Sequence, residues 1–284
     1  MPLPLEDQFY DIIHKAQRGQ GINDQALALR TGLSMEKVLA VKEGLVDEES
    51  ILKIGNALSL GSQALLQIAK NAWQPKPVEL EGLKQFTTSY KDMTVNSYIM
   101  WDPATKVALA FDTGADATPM IEFINEQDLL LANIFITHSH PDHVIDLERL
   151  KRETGGTVAL INNREPYAGA ESFAIEEMAG WLAEGLRVEP RSTWGHSRGG
   201  TSYLVKGLAK GVVIVGDAMF AGSMGSGLIS YSDALRTNRS NLLTLTRETV
   251  VCPGHGPMST ILEERAHNPF FPEYQEPGAE SAIS

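Results

Sequence analysis

Cysteine is almost absent from this chain: one residue in 284, so no disulfide can form within it. Long apolar runs are missing too. Nothing approaches the roughly 18 uninterrupted apolar residues of a membrane-spanning helix, and the opening MPLPLEDQFYDIIHK lacks the apolar centre of a signal peptide. A cytoplasmic protein is therefore expected. Positive charge is scarce: 24 Lys and Arg against 36 Asp and Glu leave a formal net charge of −12, which weighs against broad attraction to nucleic acid or anionic lipid. There is no internal repeat and no low-complexity tract. What remains is ordinary globular composition, 43% hydrophobic and 21% charged, enough for one large core and a small domain.

Histidine is also uncommon, yet five of the seven fall in three short segments: THSHPDH at 137–143, WGH at 194–196 and PGH at 253–255, with GD at 216–217 between the last two. Imidazole and carboxylate are the donors that zinc or iron accepts, and the ligands have to come from loops that several strands bring together. His138 and His140, two apart, point the same way and can grip one ion, with His196 as the third nitrogen. Asp142 and His143 follow on a turning backbone and face a second ion, which His255 completes. Asp217 can bridge the two with its two oxygens. Such a pair holds a hydroxide between the metals, the expected nucleophile, and Asp142 would orient it or accept its proton. Any one of these histidines alone is more often a hydrogen-bonded core or surface residue. The conjunction lifts the reading, because each cluster directly follows an apolar, strand-like run: 134–136, 212–215 and 250–252. His14 and His267 lie outside the pattern and read as structural or solvent-facing. Asp112, in FDTG, ends another apolar run and could accept hydrogen bonds from the metal loop, although an Asp before Thr-Gly is often just a turn former.

Residues 81–271 resemble the metallo-β-lactamase superfamily through HxHxDH and the later His, Asp and His. THSHPDH, GDAMFAGS, VVCPGHGPMSTI and ERAHNPF are most similar to its short glyoxalase II-type hydrolases. The resemblance implies an αββα sandwich with the metals at one edge of the two sheets and a dinuclear centre. Zinc is expected, and iron and manganese suit the same donors. It also implies hydrolysis of a small-molecule acyl thioester, as in a hydroxyacylglutathione hydrolase, and it supports the orienting role of Asp112. Three departures refine it. Ser226, Gly227 and Leu228 stand where the family runs through an Arg-Thr-Asp or Lys-aromatic stretch, which weighs against glutathione itself. Cys252 precedes the PGH turn and reads as a strand end rather than a ligand, against antibiotic hydrolysis. His140 stands where oxygen-reducing relatives carry Glu. Lactone hydrolysis, a persulfide dioxygenase-like sulfur oxidoreductase and a metabolite-sensing DNA-binding regulator are the alternatives.

Composition changes at QPKP, 74–77, where prolines stop a helix. The expected division is 1–73 helical, 74–80 linker and 81–284 hydrolase. In the first part Asp24 can cap a helix through Arg30, Gly32 suits a turn of positive φ, Ser34 can cap the next helix, and Asp47 and Ser62 open two more. This stretch resembles the helix-turn-helix of Cro and C1-type repressors, with the turn at 31–33 and a recognition helix at 34–43, which implies reading of the DNA major groove. Charge points the other way: seven basic residues face nine acidic ones between Met1 and Ala72, and Met35, Glu36, Lys37 and Val38 offer little to base edges. Packing, homodimerisation or partner contact is the plainer role. Beyond the linker, strands are expected at 95–101, 107–111, 157–161, 187–193 and 202–205, and helices at 118–126, 144–153 and 240–245. The tail after Tyr274 is polar and reads as mobile.

Overall fold

A computed structural model of the chain describes residues 3–178 and 180–275; the polar tail lies almost wholly outside them. Five helices come first: α1 (Phe9–Gly19), α2 (Asp24–Thr31), α3 (Met35–Lys42), α4 (Glu48–Ala57) and α5 (Ser62–Ala69). Side-chain caps start three of them. Asn23 accepts from Ala26, Ser34 from Lys37 and Asp47 from Ser50, which satisfies N–H groups that the first turn leaves without partners. Asp24, expected as a cap, is instead the first helical residue, and Gly32 closes α2 at φ 67°.

The strand-rich remainder runs β1 (Leu83–Tyr90), β2 (Met93–Trp101), β3 (Val107–Phe111), α6 (Thr118–Glu126), β4 (Leu130–Phe135), α7 (Pro141–Val144), α8 (Leu147–Glu153), β5 (Val158–Asn162), β6 (Glu171–Phe173), β7 (Trp181–Ala183), β8 (Leu186–Ser192), β9 (Thr201–Lys206), β10 (Val212–Gly216), α9 (Tyr231–Asn241), β11 (Val250–Pro253), β12 (Ser259–Thr260) and α10 (Ile261–His267). One sheet has the order β1-β2-β3-β4-β5-β6 and the other β12-β11-β10-β9-β8-β7. Strands β3 to β6 are parallel, as are β10 and β11. β3, β10 and β11 are buried along their whole length, as expected of strands covered on both faces.

The period of two sorts their side chains into layers. Leu109 and Phe111 of β3 meet Val212 and Ile214 of β10 in a core between the sheets, which also takes Cys252. Ala108 and Ala110 face the opposite way, toward Met120 of α6 and Leu150 of α8. Val213 and Val215 face outward from the second sheet into a cluster that is continuous with Ile12, Ile13, Ile54 and Leu65 of the first five helices. The result is helix, sheet, sheet, helix, and the N-terminal helices belong to the layer that covers the second sheet.

Two expected helices differ in place. The one at 144–153 is two helices, α7 carrying Asp142 and His143, and α8. The one at 240–245 lies earlier, as α9, because Ser230 caps it by accepting from Asp233, whereas the apolar Leu242 and Leu243 belong to the core beyond its end.

Candidate metal centre

Strands from both sheets end at one side. The chain leaves β4 into THSHPDH, β8 into WGH, β10 into GD and β11 into PGH, so four loops converge where the carboxyl ends of the parallel strands meet. Glycine permits the closeness. Gly216 has φ 50°, and a Cβ there would lie 2.4 Å from Thr137 Oγ1; a Cβ at Gly254 would lie 2.2 Å from Asp217 Oδ1.

All seven residues expected as metal ligands come together, in the two groups anticipated. His138, His140, His196 and Asp217 form one, and Asp142, His143 and His255 the other, each with its donor atoms within 4.8 Å of one another. In the first, His140 Nδ1 lies 3.0 Å from His138 Nε2 and 3.1 Å from His196 Nε2, and Asp217 Oδ2 lies 3.4 Å from His196 Nε2 and 3.9 Å from His138 Nε2. In the second, Asp142 Oδ2 lies 3.6 Å from His143 Nε2 and 3.4 Å from His255 Nε2. Asp217 stands between the groups, its Oδ1 3.3 Å from His143 Nε2 and its Oδ2 3.5 Å from His255 Nε2. Tetrahedral bonds of about 2.0–2.1 Å to zinc space donor atoms roughly 3.3 Å apart, which is the spacing here.

The donor set fits a metal pair on a second ground. His143 Nε2 and Asp217 Oδ1 are buried with no hydrogen-bond partner, a costly condition for polar atoms unless a cation takes them. The far ring nitrogens are already engaged. His143 Nδ1 is 2.8 Å from Asp112 Oδ2, His196 Nδ1 donates to the Ser226 carbonyl at 2.9 Å, and His255 Nδ1 donates to the Thr94 carbonyl. His138 Nδ1 is 3.0 Å from Thr137 Oγ1, whose own proton goes to Asp112 Oδ2 at 2.8 Å. These contacts keep a proton on Nδ1 and turn the Nε2 atoms inward.

Charge in the site is tuned the same way. Burial holds His138 well below the usual imidazole range, and the neighbouring His143 adds to the effect. At His143 and His255 burial also pulls down, but Asp217 with further carboxylate contacts overrides it and raises them to about 10 and about 11. Burial would raise Asp217, yet His143 and His255 hold it well below the ordinary carboxylate range. The pocket is a place where positive charge is favoured.

Several contributors carry no motif. Glu165 accepts from Ser139 N at 2.9 Å, Ser139 Oγ at 2.7 Å and Gly199 N at 2.7 Å, tying the first histidine loop to the loop that bears His196. The N-terminal helices reach the site as well. Asp7 accepts from Ser223 Oγ at 2.5 Å, and Lys15 Nζ donates to the Met224 carbonyl at 2.9 Å and lies 5.0 Å from the centre of the Phe220 ring, which stands edge-on to His255. Residues 221–225 are buried beneath the opening of the site; its partly exposed edge is His140, His196, Ser226 and Gly227. His267 is structural, stacked on Trp73 at 4.8 Å, and Cys252 is buried in β11.

Comparison with known proteins agrees with this geometry. The model of a family described as the metallo-beta-lactamase superfamily matches residues 90–255. A probable metallo-hydrolase of Bacillus subtilis, YqgX, is 32% identical over 184 residues, 57% of this chain and 86% of its own. The hydroxyacylglutathione hydrolase GloC of Haemophilus influenzae is 26% identical over 198 residues, 62% of this chain and 92% of its own. Among solved structures, ETHE1 from Myxococcus xanthus superposes with a TM-score of 0.56 at 25% identity, covering 71% of this chain and 88% of its own.

Proposed function

Because the chain belongs to the metallo-beta-lactamase superfamily, we propose that it is a metal-dependent hydrolase that cleaves small-molecule acyl thioesters. The observation that carries this is the placement of Asp217, one buried carboxylate facing two nitrogen-rich groups with an oxygen left unpartnered. His138, His140, His196 and Asp217 would hold one ion, and Asp142, His143, His255 and Asp217 the other, with zinc the expected metal. When bound, such a pair supplies a water with its pKa brought to about 7 and a Lewis acid for the carbonyl oxygen.

The side chains supply the rest. Burial pushes Asp142 up, but the hydrogen bond from His255 and the charge of His143 prevail and lower it, so it is ionised at neutral pH and ready to orient a water or take its proton. His140 and His196, at the partly exposed edge, mark the side from which an acyl group enters. The second group favours two ions over one, and so hydrolysis over a one-iron sulfur oxidation. Thioester as the bond cleaved draws on the activity named for GloC.

The helix-turn-helix-like segment takes a packing or partner role in this reading. α3 turns Met35, Glu36, Lys37 and Leu39 outward, with one cation among them, while its Lys42 is tied to Asp24. The test combines metal analysis of protein purified without added metal with a panel of lactoyl thioesters and lactones. About two ions per chain are expected, with thioester cleavage that chelation abolishes and zinc restores. Cleavage of lactones alone, or a metal-free active enzyme, would overturn the proposal.

A further inference from the structure

The geometry points to a recognition cleft for an anionic leaving thiol, built jointly by the first helix and the loop beside the metal centre, with Arg18 as its anion-binding group; it rests on the thioester reading above. A cleft of about 280 Å³ opens between α1 and the 226–231 segment, and its walls include Lys15, Arg18, Ser226, Leu228, Ile229 and Tyr231. It adjoins the reacting centre. Ser226, in its wall, holds His196 Nδ1 through its backbone carbonyl at 2.9 Å, so one residue and one hydrogen bond link the cleft to the first donor group.

The chemistry of the lining is selective. In a chain with a net charge of −12 this wall has two cations and no carboxylate. Lys15 is committed, held by Asp7 and the Met224 carbonyl. The Arg18 side chain is exposed and makes no hydrogen bond or ion pair with the described residues, so its planar fork is available for a carboxylate or a phosphate. The end of α1 does not oppose this. The carbonyls of Ala16, Gln17 and Arg18 are satisfied by the N–H groups of Gln20, Ile22 and Gly21, which limits the negative potential of a helix C-terminus. Leu228 and Ile229, exposed large apolar residues, offer a surface for the stem that joins the thiol sulfur to its anionic group. The cleft therefore suits a thiol with an anionic group several bonds from sulfur.

Three thioesters with the same lactoyl group separate the cases: one of glutathione, with carboxylates; one of coenzyme A, with phosphates; and one of neutral N-acetylcysteamine. The zinc-loaded enzyme should prefer an anionic thiol. Arg18→Gln should raise KM for that substrate about tenfold, as for one charge-assisted contact, and so lower its kcat/KM relative to the neutral ester, with Arg18→Lys partly restoring it. Whichever anionic ester responds identifies carboxylate or phosphate. Equal shifts for charged and neutral esters, or none, would overturn the cleft. Calorimetric binding of S-methylglutathione and of coenzyme A disulfide is independent of turnover. If no thioester is cleaved, but binding of either is lost in Arg18→Gln, the thioester reading fails and the anion cleft stands; if neither is cleaved nor bound, both fail.

Discussion

Asp112 shows at the scale of one residue how the centre is held. It sits at φ 54°, a left-handed conformation that Asp tolerates better than most residues. This turns the carboxylate so that Oδ1 accepts from Thr137 N and Oδ2 from Thr137 Oγ1, each at 2.8 Å, while Oδ2 also meets His143 Nδ1. One buried side chain thus fixes the tautomer of His143 and, through Thr137, that of His138. Asp112→Ala leaves all seven donors in place but should weaken metal binding about 10- to 100-fold, read by competition with a chromophoric chelator; unchanged affinity would remove its orienting role. The donors themselves were legible in the sequence because few residue types serve a divalent ion and their order is constrained. Their partners were less so. Ser226 and Thr94 act through backbone carbonyls, which no side chain announces, and Glu165 reaches its loops only after β5 has been paired beside β4.

Elements carry the next layer of support. The loop after Asp217 is gripped from α10, where Glu264 accepts from Gly222 N at 3.1 Å, Ser259 Oγ at 2.6 Å and Asn268 Nδ2 at 2.8 Å. Burial pushes this carboxyl up from 4.5 to about 7. A folded-state pKa above the unfolded value means that its contribution is fully present below about pH 4.5 and is lost as pH rises through 7, up to ~3 kcal/mol across that window. Glu264→Gln, neutral throughout, should lose this component. Urea midpoints of the two zinc-loaded proteins should differ by an amount that changes between pH 4.5 and 8, and a constant difference would show that the carboxyl does not titrate there. Legibility at this scale followed burial. β3 and α6 stand as expected because continuous apolar runs and helical spacing are strong signals. β1 was missed because Phe86 alone of its eight residues is buried, and α9 was displaced because the apolar Leu242 and Leu243 outweighed the Ser-x-x-Asp cap that starts it.

At the scale of the whole molecule, the QPKP stretch marks a change of composition, while the apolar packing runs past it without a break. Trp73 and Ile68 lie so close to Gly222 that a Cβ there would be 2.7 and 3.3 Å from their side chains. Polar contacts cross as well: Gly61 N donates to the Pro269 carbonyl at 2.7 Å and Lys76 N to Glu263 at 2.8 Å. A helical layer that buries the outer face of a sheet cannot leave without exposing Val213 and Val251 of the same cluster to water, so the two parts should lose structure together. Ile13, fully buried in α1, gives the test. Ile13→Ala should cost about 2–5 kcal/mol and lower one shared transition. Two single-tryptophan proteins report separately, one keeping Trp73 at the end of the helices and the other Trp181, which packs on Phe135 and Phe173 in the sheet region. Coincident urea midpoints that move together with Ile13→Ala are expected. If the Trp73 signal moves alone, the helices fold as an independent unit, and their contacts with the loop after Asp217 do not couple helix stability to the metal centre.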